Sequence, residues 1–130
     1  MPDPVDYQNS SFGFMDLLGF DVTVDGGVGR VTLELGPQHM NPNGVAHGGV
    51  AYALMDTAMG GATMSVVDDG KRCATIEIHM RYHRGARGGT LTAEARVTSS
   101  SKRIVHLEGT TVDDEGRLIA SSTGSYAITD

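Results

Sequence analysis

Cysteine, which stabilises many secreted proteins through disulfide bonds, is nearly absent from the sequence. It contains one cysteine, Cys73, in 130 residues, so no disulfide can form within the chain. The first ten residues, MPDPVDYQNS, lack the basic start and the apolar core of a secretory signal peptide. Both features suit a protein of the reducing cytoplasm, which is the location that we expect.

Long apolar runs and a surplus of basic residues are also absent. The longest apolar stretch is short and rich in glycine, so a membrane span is not expected. Ten lysines and arginines stand against sixteen acidic residues, which gives a formal charge of −6 and a pI near 5.2. A nucleic-acid-binding scaffold needs a broad basic face, so we expect neither nucleic acid nor membrane as a partner.

Aromatic residues are scarce, whereas glycine is abundant. The chain has no tryptophan, four tyrosines and three phenylalanines, but eighteen glycines. This composition indicates many turns and close packing of backbone against its neighbours. Because the chain has 130 residues and no internal repeat, we expect one domain over residues 11–130, preceded by a flexible arm over residues 1–10.

The hydrophobic pattern changes from helical to alternating spacing along the chain. Residues 11–20 have helical spacing with Ser10 or Ser11 as a candidate N-cap, and residues 21–36 alternate as a β-hairpin or a bent first strand. A helix is predicted over residues 47–65, and it should be central because most of its faces are apolar. The rest alternates as four antiparallel strands. We therefore predict an α+β fold in which a curled antiparallel sheet wraps around one long helix.

The loop before the long helix, NPNGVAHGG, has the composition of an oxyanion-binding site. Gly48 and Gly49 lie near the first turn of the helix, where backbone amides have no partner within the helix. Because glycine has no side chain, a carbonyl oxygen of a ligand can approach these amides closely, and the helix dipole adds positive charge. His47 and Asn41 could donate further hydrogen bonds to the same oxygen. This arrangement is the kind that acyl transfer requires.

One acidic residue, Asp56, interrupts the apolar run of this helix. It follows Gly48 by eight residues, or about 12 Å along the axis, so its side chain cannot reach its own helix N-terminus. Antiparallel central helices from two subunits would place Asp56 of one beside Gly48 of the other, which predicts a two-fold dimer with two shared sites. The alternative is a structural acid that a core hydroxyl such as Thr75 satisfies, since a buried carboxylate needs a task or a partner.

The spacing N-x5-H-G-G-x6-D-x3-G, which begins at Asn41, resembles the PaaI-type hotdog-fold thioesterases (the phenylacetic acid degradation-related family). Two later segments, TIEIHMRYHRGARGG and GRLIASSTGSYAI, resemble strands of the same family, so the similarity runs through nearly the whole chain after residue 11. The resemblance implies a hotdog fold and hydrolysis of an acyl-CoA thioester to free acid and CoA. It implies no cofactor other than the coenzyme A of the substrate.

The resemblance also implies a role for each residue of the motif. Asp56 matches the catalytic carboxylate, acting as general base on water or as a nucleophile that forms a mixed anhydride. The amide of Gly48 matches the oxyanion donor, Asn41 the side chain that orients the water or the acid, and His47 a histidine near the thioester. Thr75 matches a hydroxyl residue that helps to hold the water. In this family Asp56 and Thr75 come from one subunit and the other residues from its partner.

The same resemblance suggests where coenzyme A would bind and how the subunits would assemble. Gly49 and a set of basic residues are candidates for contacts to the substrate; these are Arg81, Arg84, Lys102 and Arg103. A basic residue on a strand edge can equally serve as a solvated guard against pairing. Relatives usually form tetramers from two dimers, so a homotetramer is expected. The acyl group that the resemblance implies is aromatic or medium-chain.

Other residue patterns point to weaker alternatives. His79 and His83 share one face of a strand, but no third ligand is suitably spaced, so no metal site is expected. Cys73 has no base placed beside it by sequence and is predicted to be passive. Two further functions on the same fold are a hydratase or dehydratase acting on enoyl-CoA, and a non-catalytic sensor that binds acyl-CoA.

Overall fold

A computed structural model of the protein describes residues 3, 6, 7 and 9–130. Residues 1, 2, 4, 5 and 8 of the predicted arm lie outside the described residues. The regular elements follow the chain in the order α1 (Gly13–Leu18), β1 (Asp21–Asp25), β2 (Val28–Glu34), a 3-10 turn (Pro37–His39), α2 (Gly48–Met64), β3 (Arg72–Tyr82), β4 (Thr90–Ser100), β5 (Ile104–Val112) and β6 (Leu118–Thr129).

The six strands form one antiparallel sheet in the order β1-β2-β4-β5-β6-β3. Helix α2 contacts all six strands, so the sheet curls around it. This is the hotdog arrangement that the sequence predicts, and the α+β class is confirmed. Strands β1 and β2 pair with each other, so residues 21–36 form a β-hairpin and not a bent first strand.

Helix α2 is buried because nearly every one of its faces is apolar. Its buried residues include Leu54, Met55, Ala58 and Met59, none of which exposes measurable surface. The helix also lies very close to the sheet: a Cβ at Gly29 on β2 would lie only 2.0 Å from the carbonyl oxygen of Ala58. At this position glycine thus permits the close packing of backbone that the composition predicts.

The first helix is shorter than predicted and begins differently. Phe12, rather than Ser10 or Ser11, is the N-cap residue of α1, and no side chain caps the helix. The Ser11 hydroxyl instead donates to Oδ2 of Asp16 at 3.4 Å. The predicted serine cap is therefore wrong, because the hydroxyl that would accept a backbone amide contacts a side chain of the first turn.

Strand β3 lies at an edge of the sheet and contains a bulge. Simple alternation predicts that Ile76 shares a face with Ile78 and Met80, yet Ile76 is 53% exposed. Thr75 pairs with Tyr126 and the next pair begins at Glu77, so Ile76 is the extra residue of the bulge. Because of this extra residue, side chains that lie an odd number of positions apart across the bulge face the same side of the sheet. Thr75 can then face α2 on one side of the bulge while Ile78 packs against the core on the other.

None of the described helices is long and apolar enough to cross a lipid bilayer.

Candidate active site

The N-terminus of α2 is capped by the residue that precedes it. Nδ1 of His47 accepts a hydrogen bond from the Gly49 amide at 2.8 Å, and the Val50 amide donates to the His47 carbonyl at 2.9 Å. Because Nδ1 is an acceptor, a neutral His47 ring carries its proton on Nε2. Within the described part of the chain, the Gly48 amide has no acceptor. A donor of the predicted kind is therefore present at this helix end.

A cavity of about 400 Å³ lies beside Gly48. Its lining residues include Asn41, Gly48, Ala51, Tyr82 and Arg84. The Tyr82 hydroxyl donates to the Gly48 carbonyl at 2.7 Å, and this bond ties the end of β3 to the start of α2. The cavity thus gives a small molecule access to the first turn of the helix.

Asn41 belongs to the loop that precedes α2. Its side-chain oxygen accepts the backbone amides of Asn43 and Val45 at 2.9 and 3.3 Å, which holds the loop in a turn. With that oxygen engaged, the side-chain amide Nδ2 is the group left to donate toward a ligand. The predicted residues Asn41, His47 and Gly48 are therefore brought together at one site.

Asp56 lies half-buried in the middle of α2 and faces strands β3 and β6. Its Oδ1 accepts hydrogen bonds from the Thr75 hydroxyl, at 2.7 Å, and from the Tyr126 hydroxyl. The same Tyr126 hydroxyl lies 2.8 Å from the Asp56 carbonyl oxygen. Burial, and after it the hydrogen bond to Asp56, raises the pKa of Tyr126 above its ordinary value. Tyr126 therefore acts toward Asp56 as a neutral hydroxyl donor.

Two other titratable groups lie near this carboxylate. Burial raises the pKa of the Cys73 thiol to about 11, and the negative charge of Asp56 contributes to the shift. Burial likewise raises the pKa of Tyr7 to about 12, with smaller contributions from Cys73 and Asp56. Both groups are protonated at neutral pH. A protonated thiol is a poor nucleophile, which agrees with the passive role predicted for Cys73.

Asp56 and Gly48 do not meet within one protomer. They lie on the same helix, eight residues and about 12 Å apart along its axis. Asp56 faces edge strand β3, whose outer side pairs with no other strand of the described chain. The structure thus divides the predicted residues into two groups: Asn41, His47 and Gly48 at the helix start, and Asp56 with Thr75 at the sheet edge.

The predicted basic residues lie in three separate places of the protomer. Arg84 lies at the cavity beside Gly48. Lys102 and Arg103 line a groove at the other end of the sheet, together with Lys71. Arg81 lines a groove on the outer face of the sheet, where carboxylates are also present. Within one protomer these residues form no single phosphate-binding cluster.

The two histidines predicted to share a strand face are not on one strand, because β3 ends at Tyr82 and His83 follows it. His83 contacts the Ser121 hydroxyl at 2.8 Å through Nε2, and His79 lines the groove on the outer face of the sheet. Across the residues that the structure describes, no group of three or more His, Cys, Asp or Glu side chains could hold a metal ion.

Sequence reasoning missed the two tyrosines that contact the site, Tyr82 and Tyr126. Both carry hydroxyls that donate to residues of the predicted motif. For Tyr126 a signal was present: an inward-facing tyrosine on a core strand needs a buried partner for its hydroxyl. The identity of that partner depends on how β6 crosses α2, which the local pattern does not encode.

The structure shows an oriented carboxylate on α2 and, within the described residues, an amide without an acceptor at the start of α2; sequence comparison identifies the family. A sequence profile of the Thioesterase superfamily matches residues 43–120, more than half of the chain. The chain belongs to the thioesterase superfamily. The match begins just before the helix start, so it contains His47, Gly48, Asp56 and Thr75.

Solved structures of similar chains include thioesterases and a PaaI protein. A thioesterase from Haemophilus influenzae is 25% identical with a TM-score of 0.86, and the match covers 92% of this chain and 85% of that one. The E. coli PaaI protein from the phenylacetic acid degradation operon is 26% identical with a TM-score of 0.84, covering 95% and 88%. A Bacillus halodurans protein whose structure contains CoA is 28% identical with a TM-score of 0.87, covering 94% and 82%.

These comparisons confirm the resemblance to PaaI-type hotdog thioesterases and the prediction of a hydrolase that acts on thioester bonds. The chain spans 54% to 67% of the lengths of the curated relatives that it matches.

Proposed function

We propose that this thioesterase hydrolyses acyl-CoA, with two active sites that are shared between the subunits of a dimer. The observation that carries the proposal is the division of the motif. Among the described residues, Asp56 is an oriented carboxylate at a sheet edge that pairs with no further strand, and the Gly48 amide has no acceptor at the distant helix start. Neither half is complete alone. The CoA in the structure of the Bacillus halodurans relative supports the class of substrate.

The dimer forms by pairing of two β3 edges around a two-fold axis. The outer side of β3 presents backbone groups that need partners, and Ile76 is 53% exposed there. A two-fold axis perpendicular to α2 makes the two α2 helices antiparallel, so each Asp56 approaches the Gly48 of the other subunit. Assembly of two such dimers into a tetramer remains part of the proposal.

In the chemical step, the thioester carbonyl accepts hydrogen bonds from the Gly48 amide, and the dipole of α2 stabilises the oxyanion that develops. His47, through Nε2–H, and Asn41, through Nδ2–H, supply further donors at the same helix end. Asp56 of the partner subunit removes a proton from water as the water oxygen bonds to the carbonyl carbon. Alternatively, Asp56 attacks that carbon itself, and water then hydrolyses the resulting anhydride.

The leaving group needs little help from the protein. When the tetrahedral intermediate collapses, the bond between carbon and sulfur breaks and coenzyme A departs with the electron pair as a thiolate. A thiolate is stable enough near neutral pH to leave without a strong general acid. The free carboxylic acid and CoA are the products, and no cofactor beyond the CoA of the substrate is required.

Coenzyme A enters past the basic residues at the two ends of β3. Arg84 lies at the cavity beside Gly48, whereas Lys102 and Arg103 lie near the start of β3 in the same protomer. Antiparallel pairing of two β3 strands brings the start of one strand toward the end of the other, so these residues of two subunits approach each other. We assign them to the CoA phosphates, with Gly49 near the thioester. Arg81 is the weakest of the proposed contacts, because Glu94 and Glu108 share its groove.

The test is release of CoA thiol from a panel of aromatic and medium-chain acyl-CoAs. We expect wild type to hydrolyse some members and Asp56→Asn to lose at least about 1,000-fold in kcat, because the reaction loses its base or nucleophile. Asp56→Ala should behave in the same way. Asp21→Asn, an exposed acid on β1, is the matched control and should keep full activity.

Retained turnover in Asp56→Asn would contradict the assignment of the acid. If wild type releases no thiol from any acyl-CoA, hydration of an enoyl-CoA would indicate the hydratase alternative. Binding of acyl-CoA without any turnover would indicate the sensor.

A further inference from the structure

We propose that Tyr126 is a positioning residue of this active site, whose hydroxyl, together with that of Thr75, holds one oxygen of Asp56 so that the other oxygen does the chemistry. The proposal rests on the proposed function of Asp56 and adds a residue to it. It also distinguishes the two carboxylate oxygens: Oδ1 is held and Oδ2 is the reactive atom.

The contacts of the two oxygens differ completely. Oδ1 accepts hydrogen bonds from Thr75 on β3 and from Tyr126 on β6. Within the described residues, Oδ2 receives no hydrogen bond. A water molecule or a thioester carbon approaching Asp56 therefore meets an oxygen whose lone pairs are not already engaged.

The single proton of the Tyr126 hydroxyl serves two oxygens of the same residue. The hydroxyl lies 2.8 Å from the Asp56 carbonyl oxygen and also contacts Oδ1. This pairing fixes the side-chain torsion of Asp56 relative to the α2 backbone, because both acceptors belong to one residue. Thr75 approaches Oδ1 from a different element, so the carboxylate is held from two directions.

A phenylalanine would fill the same space in the core. Tyr126 is 2% exposed, and a buried hydroxyl is costly unless it has a partner. Here both acceptors of the hydroxyl in the described structure are atoms of Asp56. The hydroxyl therefore acts on the carboxylate rather than on the general packing of β6.

The described titratable groups around the carboxylate are hydroxyls and a thiol. The titratable groups that face Asp56 are Tyr7 from the N-terminal segment, Cys73 from β3 and Tyr126 from β6, and all are protonated at neutral pH. No ion pair of the described residues involves Asp56. Within the described residues the donors to the carboxylate are the hydroxyls of Thr75 and Tyr126, so the loss of one donor should be measurable.

The test is Tyr126→Phe, which removes the hydroxyl and keeps the ring. We expect kcat to fall roughly 10- to 100-fold with KM changed less than about threefold, because a hydrogen bond to a charged group is lost and substrate contacts are not. The acidic limb of kcat/KM should move to higher pH, because the ionised carboxylate is then less favoured. Tyr52→Phe, an exposed tyrosine of α2, is the matched control.

A second readout does not depend on turnover. The side-chain carboxyl carbon of Asp56, followed by 13C NMR, should titrate at higher pH in Tyr126→Phe than in wild type. If wild type hydrolyses no acyl-CoA, the proposed function fails, but this titration still tests the contact. An unmoved titration, or an unchanged kcat and acidic limb, would overturn the inference. A lower melting temperature with kcat and its pH dependence as in wild type would overturn it as well.

If Tyr126→Phe does not fold, 3-fluorotyrosine at position 126 replaces it. Fluorine makes the hydroxyl a stronger donor at nearly the same size, so the acidic limb should move to lower pH. A limb that does not move would again contradict the role of Tyr126.

Discussion

Cys73 is a single residue whose position near Asp56, the proposed catalytic acid, raises the question of a second nucleophile. It lies on β3, two residues before Thr75, and its Sγ is 4.0 Å from the Gly60 carbonyl oxygen. Burial and the nearby Asp56 charge raise its pKa to about 11. Since only the thiolate is an effective nucleophile, burial and the nearby charge of Asp56 make Cys73 unreactive.

We therefore predict slow alkylation of Cys73 by iodoacetamide. A group whose pKa is raised loses its proton only as the pH approaches the raised value, so the rate should increase about tenfold per pH unit up to pH 11. At pH 8 it should be roughly 100-fold slower than that of a small exposed thiol. Mass spectrometry of the alkylated protein between pH 7 and 11 provides the measurement.

A rate that levels off below about pH 9 would contradict the raised pKa. Cys73→Ala should retain thioester hydrolysis, whereas a catalytic cysteine would lose it.

At the scale of elements, helix α2 is the feature that the sequence predicts best. The predicted helix covers residues 47–65 and the observed one Gly48–Met64, with His47 and Ser65 as its caps. Local signals suffice here, because an apolar run, a capping residue and helix-opening glycines are all contained in one segment. The bulge in β3 was not predictable in the same way, because it depends on the register with β6.

The close approach of α2 and β2 gives a prediction about stability. Gly29→Ala should destabilise the protein by about 1–3 kcal/mol, because the new Cβ would lie 2.0 Å from the Ala58 carbonyl oxygen and backbone must move. Gly88→Ala is the control, since a Cβ there meets nothing within 4 Å and the backbone is not left-handed. Urea unfolding of the two variants and wild type measures the difference.

Equal stability of Gly29→Ala and Gly88→Ala would show that the helix does not pack as closely on β2 as the distance indicates.

At the scale of the whole molecule, the division of the motif predicts complementation between inactive subunits. Asp56→Asn lacks the proposed catalytic acid, and Gly48→Pro lacks the amide proposed to bind the oxyanion, although proline is tolerated at the first position of a helix. A mixed dimer would contain one intact site, formed by Asp56 of one chain and Gly48 of the other. Random pairing of equal amounts should restore about one quarter of wild-type activity.

The measurement is thiol release after the two variants are unfolded, mixed and refolded together, with each variant refolded alone as the control. Activity that does not exceed the sum of the two separate samples would show that Asp56 and Gly48 act within one protomer or in no common site.

The sequence by itself determined the class of fold, the bounds of α2, and the motif of Asn41, His47, Gly48 and Asp56. Each of these depends on residues that are close together in the chain, where spacing and capping preferences act directly. The Thr75 hydroxyl donates to Asp56 at 2.7 Å, and its role in holding the water stays a prediction.

Only the tertiary structure decided which groups surround the acid. Tyr126 is 70 positions from Asp56, and its hydroxyl reaches the carboxylate because β6 crosses α2 at that point. The sequence likewise did not show that the basic residues lie in three separate places. Neighbouring positions on a strand face opposite sides of the sheet, and the loops that carry the other basic residues lie at its opposite ends. Contacts between distant segments depend on sheet order and register, which no local pattern specifies.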